Sequence, residues 1–209
     1  MRRKKNIRIT TPIGTAQWPR LNEPDTKFNK DGTYSVSLRL TKEDAEPIQE
    51  IIGKALSDHM ESLKKDSPKK KFKASPLPIK DVMDQDDNPT GEVEIRFKMN
   101  AIGINGGDRW EQRPALFDSS GRPLTETVGG GSKIKVGAEI VPYFTAMAGA
   151  GITLRLKAVQ VIELIEYHKG DAFDSWEFSQ EEGFVTCGEK EKETASAPSG
   201  TSDEDGFDF

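Results

Sequence analysis

Four stretches of this chain alternate apolar and polar residues with period two, a pattern that fits a half-buried β-strand. In residues 33–41 the apolar set is Tyr34, Val36, Leu38 and Leu40. In residues 92–102 it is Val93, Ile95, Phe97, Met99 and Ala101. Residues 132–144 place Ile134, Val136, Ala138 and Ile140 on one face, and residues 152–165 place Ile152, Leu154, Leu156, Ala158, Ile162 and Leu164 there. Residues 7–13 and 109–117 read as weaker strands. Turn signals separate these runs: Lys30-Asp31-Gly32, Asn105-Gly106-Gly107-Asp108, Ser119-Ser120-Gly121 and Ala148-Gly149-Ala150-Gly151.

One segment has the other period. Ile48, Ile51, Ile52, Ala55, Leu56, Met60 and Leu63 recur at helical spacing, which predicts a helix over 44–65. Asp44 reads as its N-cap, placing Pro47 in the first turn where a missing N–H costs little. Lys64 and Lys65 suit the last turn. A basic loop follows at 66–79, with Lys69, Lys70, Lys71 and Lys73 among Pro68, Pro76 and Pro78. Five or six strands with one inserted helix predict a mainly β fold, a small antiparallel barrel occupying residues 1–170. Residues 171–187 form an acidic connecting segment. Residues 188–209 lack apolar periodicity and read as a disordered acidic tail.

The polar faces of the strands carry bases. Arg39, Arg96, Lys98, Lys133, Lys135, Arg155 and Lys157 all fall opposite the apolar sets, against Glu94, Glu139 and Glu163. Tyr143 keeps the parity of Lys133 and Lys135 unless a bulge at Pro142 turns it into the core. Cations that track phosphates beside an aromatic ring that stacks on unpaired bases are what a single-stranded nucleic-acid groove requires. Trp18, near Arg20, and Trp110, between Arg109 and Arg113, either extend such a groove or pack into the body. For any one strand, a charged outer face is ordinary, since lysine also blocks edge-to-edge aggregation. Four such strands together point to a polynucleotide.

The charge distribution points the same way. Residues 188–209 hold seven acids and two bases, which is the whole formal net charge of −5. Residues 171–182 add five acids and no base, so residues 1–170 are net positive by about five. The chain ends Asp203-Glu204-Asp205-Gly206-Phe207-Asp208-Phe209. Its carboxylates imitate a short run of phosphates, and Phe207 and Phe209 can anchor a partner that the charges steer in. The plainer alternative is a tail that only aids solubility.

Other chemistries find little support. No stretch is apolar enough to span a bilayer, and Arg2, Arg3, Lys4 and Lys5 precede no apolar run, so no secretory signal is expected. Cys187 is the single cysteine, which excludes an internal disulfide and fits a reducing cytosol. His59 and His168 make no recognisable zinc site with it, and no metal or cofactor is expected. Asp84, Asp86 and Asn88 mimic the start of a calcium loop, but Pro89 stands where glycine is needed, so a turn is expected. Gly129-Gly130-Gly131-Ser132-Lys133 lacks phosphate-loop spacing and opens a strand.

The block Gly129-Gly130-Gly131-Ser132-Lys133-Ile134-Lys135-Val136, then Val141-Pro142-Tyr143, Gly149 to Leu156 and Val161-Ile162-Glu163-Leu164, resembles the single-stranded DNA-binding proteins of short-tailed bacteriophages. Weaker similarity covers Gly14-Thr15-Ala16, residues 32–40 and Phe117-Asp118-Ser119-Ser120-Gly121, and the tail from Asp203 to Phe209 is similar to the family's acidic, Phe-ended tail. The resemblance implies an OB-fold (an oligonucleotide-binding barrel) that coats single strands in phage DNA replication and recombination, in the cytoplasm of the infected host. It implies a tail that meets the phage DNA polymerase and helicase/primase and competes with DNA for the groove, with homodimers held partly by tails. It matches Tyr143 to an aromatic beside the DNA path and Lys133 and Lys135 to a basic strand. Gly137 departs from that basic run, shifting the expected patch toward Lys98, Arg109 and Arg113. The competing expectations are a metal-dependent phage nuclease and a structural or scaffolding protein.

Overall fold

In the computed structural model of the chain, residues 6–68 and 72–166 are described. The acidic segment, the tail with Asp203, Glu204, Asp205, Phe207, Asp208 and Phe209, and Lys69, Lys70, Lys71, His168 and Cys187 lie outside them. The described residues form ten strands and one helix: β1 (Ile7–Thr10), β2 (Gly14–Asp25), β3 (Thr33–Thr41), α1 (Lys42–Asp66), β4 (Ile79–Met83), β5 (Pro89–Asn100), β6 (Ile102–Asn105), β7 (Asp108–Glu111), β8 (Ala115–Phe117), β9 (Lys133–Thr145) and β10 (Gly149–Glu163).

Five long strands close on themselves. β2 pairs β3, β3 pairs β5, β5 meets β10, β10 pairs β9, and β9 returns to β2 at Gly14↔Ile134. All these pairings are antiparallel except β5–β10, which is parallel at Arg155↔Lys98. This is the Greek-key barrel of the OB-fold. The alternation fills its interior: Val36, Leu38, Ile95, Phe97, Ile134, Val136, Leu154 and Leu156 are fully buried. Ala45, Ile48 and Ile52 of α1 join the same core and cover one end of it.

Several sequence expectations shift, each for a local reason. The run at 7–13 is β1 followed by a separate twelve-residue strand, β2, that the alternation did not reveal. Its register passes from Gln17↔Ser37 to Arg20↔Ser35, so one extra residue breaks the period between Ala16 and Leu21. In β10 the partner of Leu156 is Ala138 and that of Ala158 is Gly137, so Lys157 is the extra residue of a bulge. Parity reverses there, and Val159 and Val161 are the buried residues, not Ala158 and Ile162. The run at 109–117 is two strands, β7 and β8, broken around Pro114, and β7 forms a separate hairpin with β6. The helix begins earlier than expected. Its N-cap is Thr41, whose Oγ1 accepts from Asp44 N at 3.2 Å while donating to Asp44 Oδ2 at 2.9 Å. Asp44 thus lies three residues inside the cap and accepts from the cap hydroxyl, and Pro47 lies inside the helix, where it forfeits the bond to Glu43 O.

Two glycine- or acid-rich motifs are structural. Asp84 Oδ1 accepts from Asp86 N and Asn88 N at 2.9 and 2.8 Å, closing a turn, and the Asn88 bond leads in lowering its pKa. Buried Ser132 donates to Gly129 O at 2.9 Å and accepts from Ile165 N at 3.0 Å, latching the start of β9 to the end of β10.

Candidate nucleic-acid interface

Pairing register places the outward side chains in rows around the barrel. Arg20, Ser35, Lys98, Arg155 and Glu139 are successive partners on β2, β3, β5, β10 and β9. The adjacent row is Gln17, Ser37 and Arg96. Neighbouring strands lie about 4.8 Å apart, so Arg96, Lys98 and Arg155 share one small area of wall.

A trough crosses that wall. β5 offers one edge to β4 near its start and to β10 near its end, and these two strands part between. The gap, about 370 Å³ in volume, is lined by Arg96 and Lys98 of β5, Glu94 beside them, Lys80 of β4, Tyr143 of β9 and Thr153 of β10. Pro76 and Pro78 close one side. Their segment is strapped to the barrel: Ser75 N donates to Ala150 O at 2.7 Å, Ala150 N to Lys73 O at 2.8 Å, and Arg96 N to Pro78 O at 3.0 Å. Prolines lack N–H groups, so the strap walls the gap without filling it by strand pairing.

Tyr143 keeps its outward parity, because the register runs without a break through Val141↔Thr153, Pro142↔Ile152 and Tyr143↔Gly151. Its ring lies over Gly151, where any Cβ would stand 2.5 Å from the hydroxyl oxygen. The glycine lets an aromatic ring lie flat across the strand. Tyr143 O also meets His59 Nε2 of α1 at 3.1 Å, which ties the end of β9 to the helix.

Lys80, Arg96, Lys98 and Arg155 have no ion-pair partner among the described residues. Three of these bases line the gap, and Arg155 stands beside Lys98 in the register; against the single acid Glu94 they leave a net positive potential there. Two of the other candidate bases are engaged. Arg39, half-buried on β3, faces Glu92 at 3.7 Å and has Glu94 as its register partner. Arg109 holds Asp31 at 2.7 Å, joining the β6–β7 hairpin to the 26–32 loop.

The remaining sequence candidates are distributed around this centre. Lys157 is exposed at the β10 bulge, one strand position beyond the Arg155 row. Trp110 lies against Gly103 across the β6–β7 hairpin, so it packs and yet stays half exposed. Arg113 is exposed just past the hairpin. Lys133 and Lys135 share β9 with Tyr143 but lie eight to ten residues away, roughly 26–33 Å along the strand. Lys133 Nζ donates to Thr15 Oγ1 at 2.8 Å, and neither lysine lines the trough. Trp18 stands in the β2 bulge beside a separate hollow. Sequence reasoning missed Lys80, which follows the proline loop on a strand too short to show a period, and gave Arg20 no role of its own because β2 went unrecognised.

In the OB-fold the outer face of the second and third barrel strands, with the loops that join strands one to two and four to five, is where oligonucleotides and oligosaccharides bind. Here those strands are β3 and β5, and the loops are residues 26–32 and 146–148. A cationic, aromatic-walled trough on that face defines an oligonucleotide-binding barrel protein.

The family model described as single-stranded DNA-binding protein of bacteriophage T7 matches residues 12–164. The chain belongs to that family of phage single-stranded DNA-binding proteins. It is 29% identical over 206 residues to the single-stranded DNA-binding protein of Enterobacteria phage T3, covering 89% of this chain and 88% of that one. It is 28% identical over 200 residues to that of Escherichia phage T7, covering 86% and 85%. Among solved structures, gp2.5, the single-stranded DNA-binding protein encoded by bacteriophage T7, superposes with a TM-score of 0.65 at 23% identity, over 78% of this chain and 96% of that one. The single-stranded DNA-binding protein of bacteriophage Enc34 in complex with single-stranded DNA gives 0.53 at 22% identity, over 76% and 88%. Both likenesses concern the fold.

Proposed function

We propose that this chain coats single-stranded DNA without sequence preference during phage DNA replication and recombination, in the host cytoplasm, and performs no chemical turnover. The observation that carries this reading is the excess of bases without ion pairs at the Tyr143 trough: Lys80, Arg96 and Lys98 on its lining and Arg155 beside Lys98, against the one acid Glu94. Lys80, Arg96, Lys98 and Arg155 track phosphates, and Tyr143 stacks on a base. Stacking accepts every base, because every base has a π-face. Lys157, Arg113 and the exposed edge of Trp110 continue the path toward the hairpin. Lys133, Lys135, Arg39 and Arg109 serve only a longer strand that wraps the barrel or displaces their present partners.

The acid tail is the second part of the proposal. Its seven acids against two bases match the sign that the trough lacks, so residues 202–209 compete with DNA for it. Once displaced, the tail with Phe207 and Phe209 is presented to the replication partners, the phage DNA polymerase and helicase/primase, and to a second copy of the chain.

A gel shift with labelled single- and double-stranded oligonucleotides tests the first part: single strands are retarded at low salt, and retardation fades as salt rises. Equal affinity for duplex, or cleavage of the label in magnesium, overturns it. Removing residues 202–209 is expected to tighten binding at low salt, and an unchanged affinity overturns the competition.

A further inference from the structure

The β2 bulge does something that barrel closure does not require. Trp18 takes φ +50°, a left-handed conformation that is an outlier for a bulky residue. Strain of this kind is concentrated at ligand sites. The bulge also swings the indole out of the alternation, leaving it 82% exposed. It stands at a hollow of about 540 Å³ whose walls are Trp18, Pro19, Arg20 and Leu21 on one side and Val128 and Gly130 on the other. Glu23 is the acid on its lining.

The hollow is separate from the trough but lies on the same row of outward bases. Arg20 is the register partner of Ser35, and Ser35 of Lys98, so Arg20 lies two strand spacings, about 10 Å, from the trough floor. Arg20 has no ion-pair partner among the described residues, like the trough bases. A flat apolar ring beside an unneutralised cation, on the line of other such cations, suits a base and its phosphate better than a protein side chain.

We propose that the Trp18 hollow is a second subsite for the same polynucleotide: the indole stacks on one unpaired base, and Arg20 neutralises the phosphate beside it. This inference rests on the single-strand reading above. It makes the subsite one that only strands long enough to leave the trough across β3 can reach.

The test compares labelled oligothymidylates of about 4 and about 16 nucleotides, the range of site sizes for one such barrel, by fluorescence anisotropy. Trp18→Ala and Arg20→Ala are expected to match wild type on the short strand. On the long strand Trp18→Ala is expected to bind about 5- to 100-fold more weakly, and Trp18→Phe to retain most of the affinity. In the Trp110→Phe/Trp176→Phe background, the remaining indole emission is quenched by the long strand and not by the short one. This second readout keeps Trp18 itself intact. Equal losses on both lengths, no loss on the long strand, or unquenched emission overturns the subsite while leaving the trough reading in place. A wild-type protein that binds neither length overturns both.

Discussion

Replacing Arg96 and Lys98 together with alanine removes the two bases on the floor of the trough, neither of which is engaged in an ion pair. Each neutralised phosphate on a single strand contributes a slope of about −0.7 to the plot of log affinity against log salt. Two lost contacts therefore flatten the plot by about 1.4. Between about 50 and about 200 mM salt, log salt changes by about 0.6, so the deficit of the double variant shrinks roughly sevenfold across that range. Both side chains are exposed and leave the buried face of β5 untouched, so the barrel is expected to fold as before. The assay is a fluorescence titration of an oligothymidylate at four or five salt concentrations, with Lys54→Ala of the exposed helix surface as control. A deficit that stays constant across salt means that Arg96 and Lys98 do not meet phosphates. A deficit confined to one base sequence means that they read bases instead.

Tyr143→Ala is expected to weaken binding by about 1–3 kcal/mol for every sequence alike, measured by competition among homopolymers. Asp118 accepts from Ser120 Oγ at 2.7 Å, and that bond, followed by the Arg122 N–H, holds its carboxyl down at about 2 from an ordinary 3.8. A depressed carboxylate pKa contributes stability that is present above pH 3.8 and is lost as pH falls through about 2; Asp118→Asn is expected to remove that dependence, and an NMR titration of the carboxyl reads the value directly. Pro47→Ala restores an N–H facing Glu43 O and is expected to raise stability by up to about 3 kcal/mol in denaturant unfolding. A destabilised variant there means that the proline ring is needed for packing.

The core was legible because burial repeats along the chain. Tyr34, Val36, Leu38 and Leu40, the set from Val93 to Ala101, and the set from Ile134 to Ile140 are all buried as their alternation predicts. The errors fall where one inserted residue resets parity. The bulge at Trp18 hid β2, and the bulge at Lys157 exchanged Ala158 and Ile162 for Val159 and Val161. The helix start was misplaced because an acid that bonds the cap hydroxyl sits three residues inside, and Asp44 resembles a cap more than Thr41 does.

What the amino-acid order determined is which faces are apolar, which are cationic, and that the acids gather at one end, since each is a local property of residues in succession. Which cations act together belongs to the tertiary structure. Lys98 and Arg155 are far apart in the chain and side by side in the sheet, while Lys135 and Tyr143 share a strand and lie too far apart for one trough. Strand pairing exchanges distance along the chain for adjacency across it, and only the closed barrel, with β4 and β10 parting over β5, decides where a polynucleotide can rest.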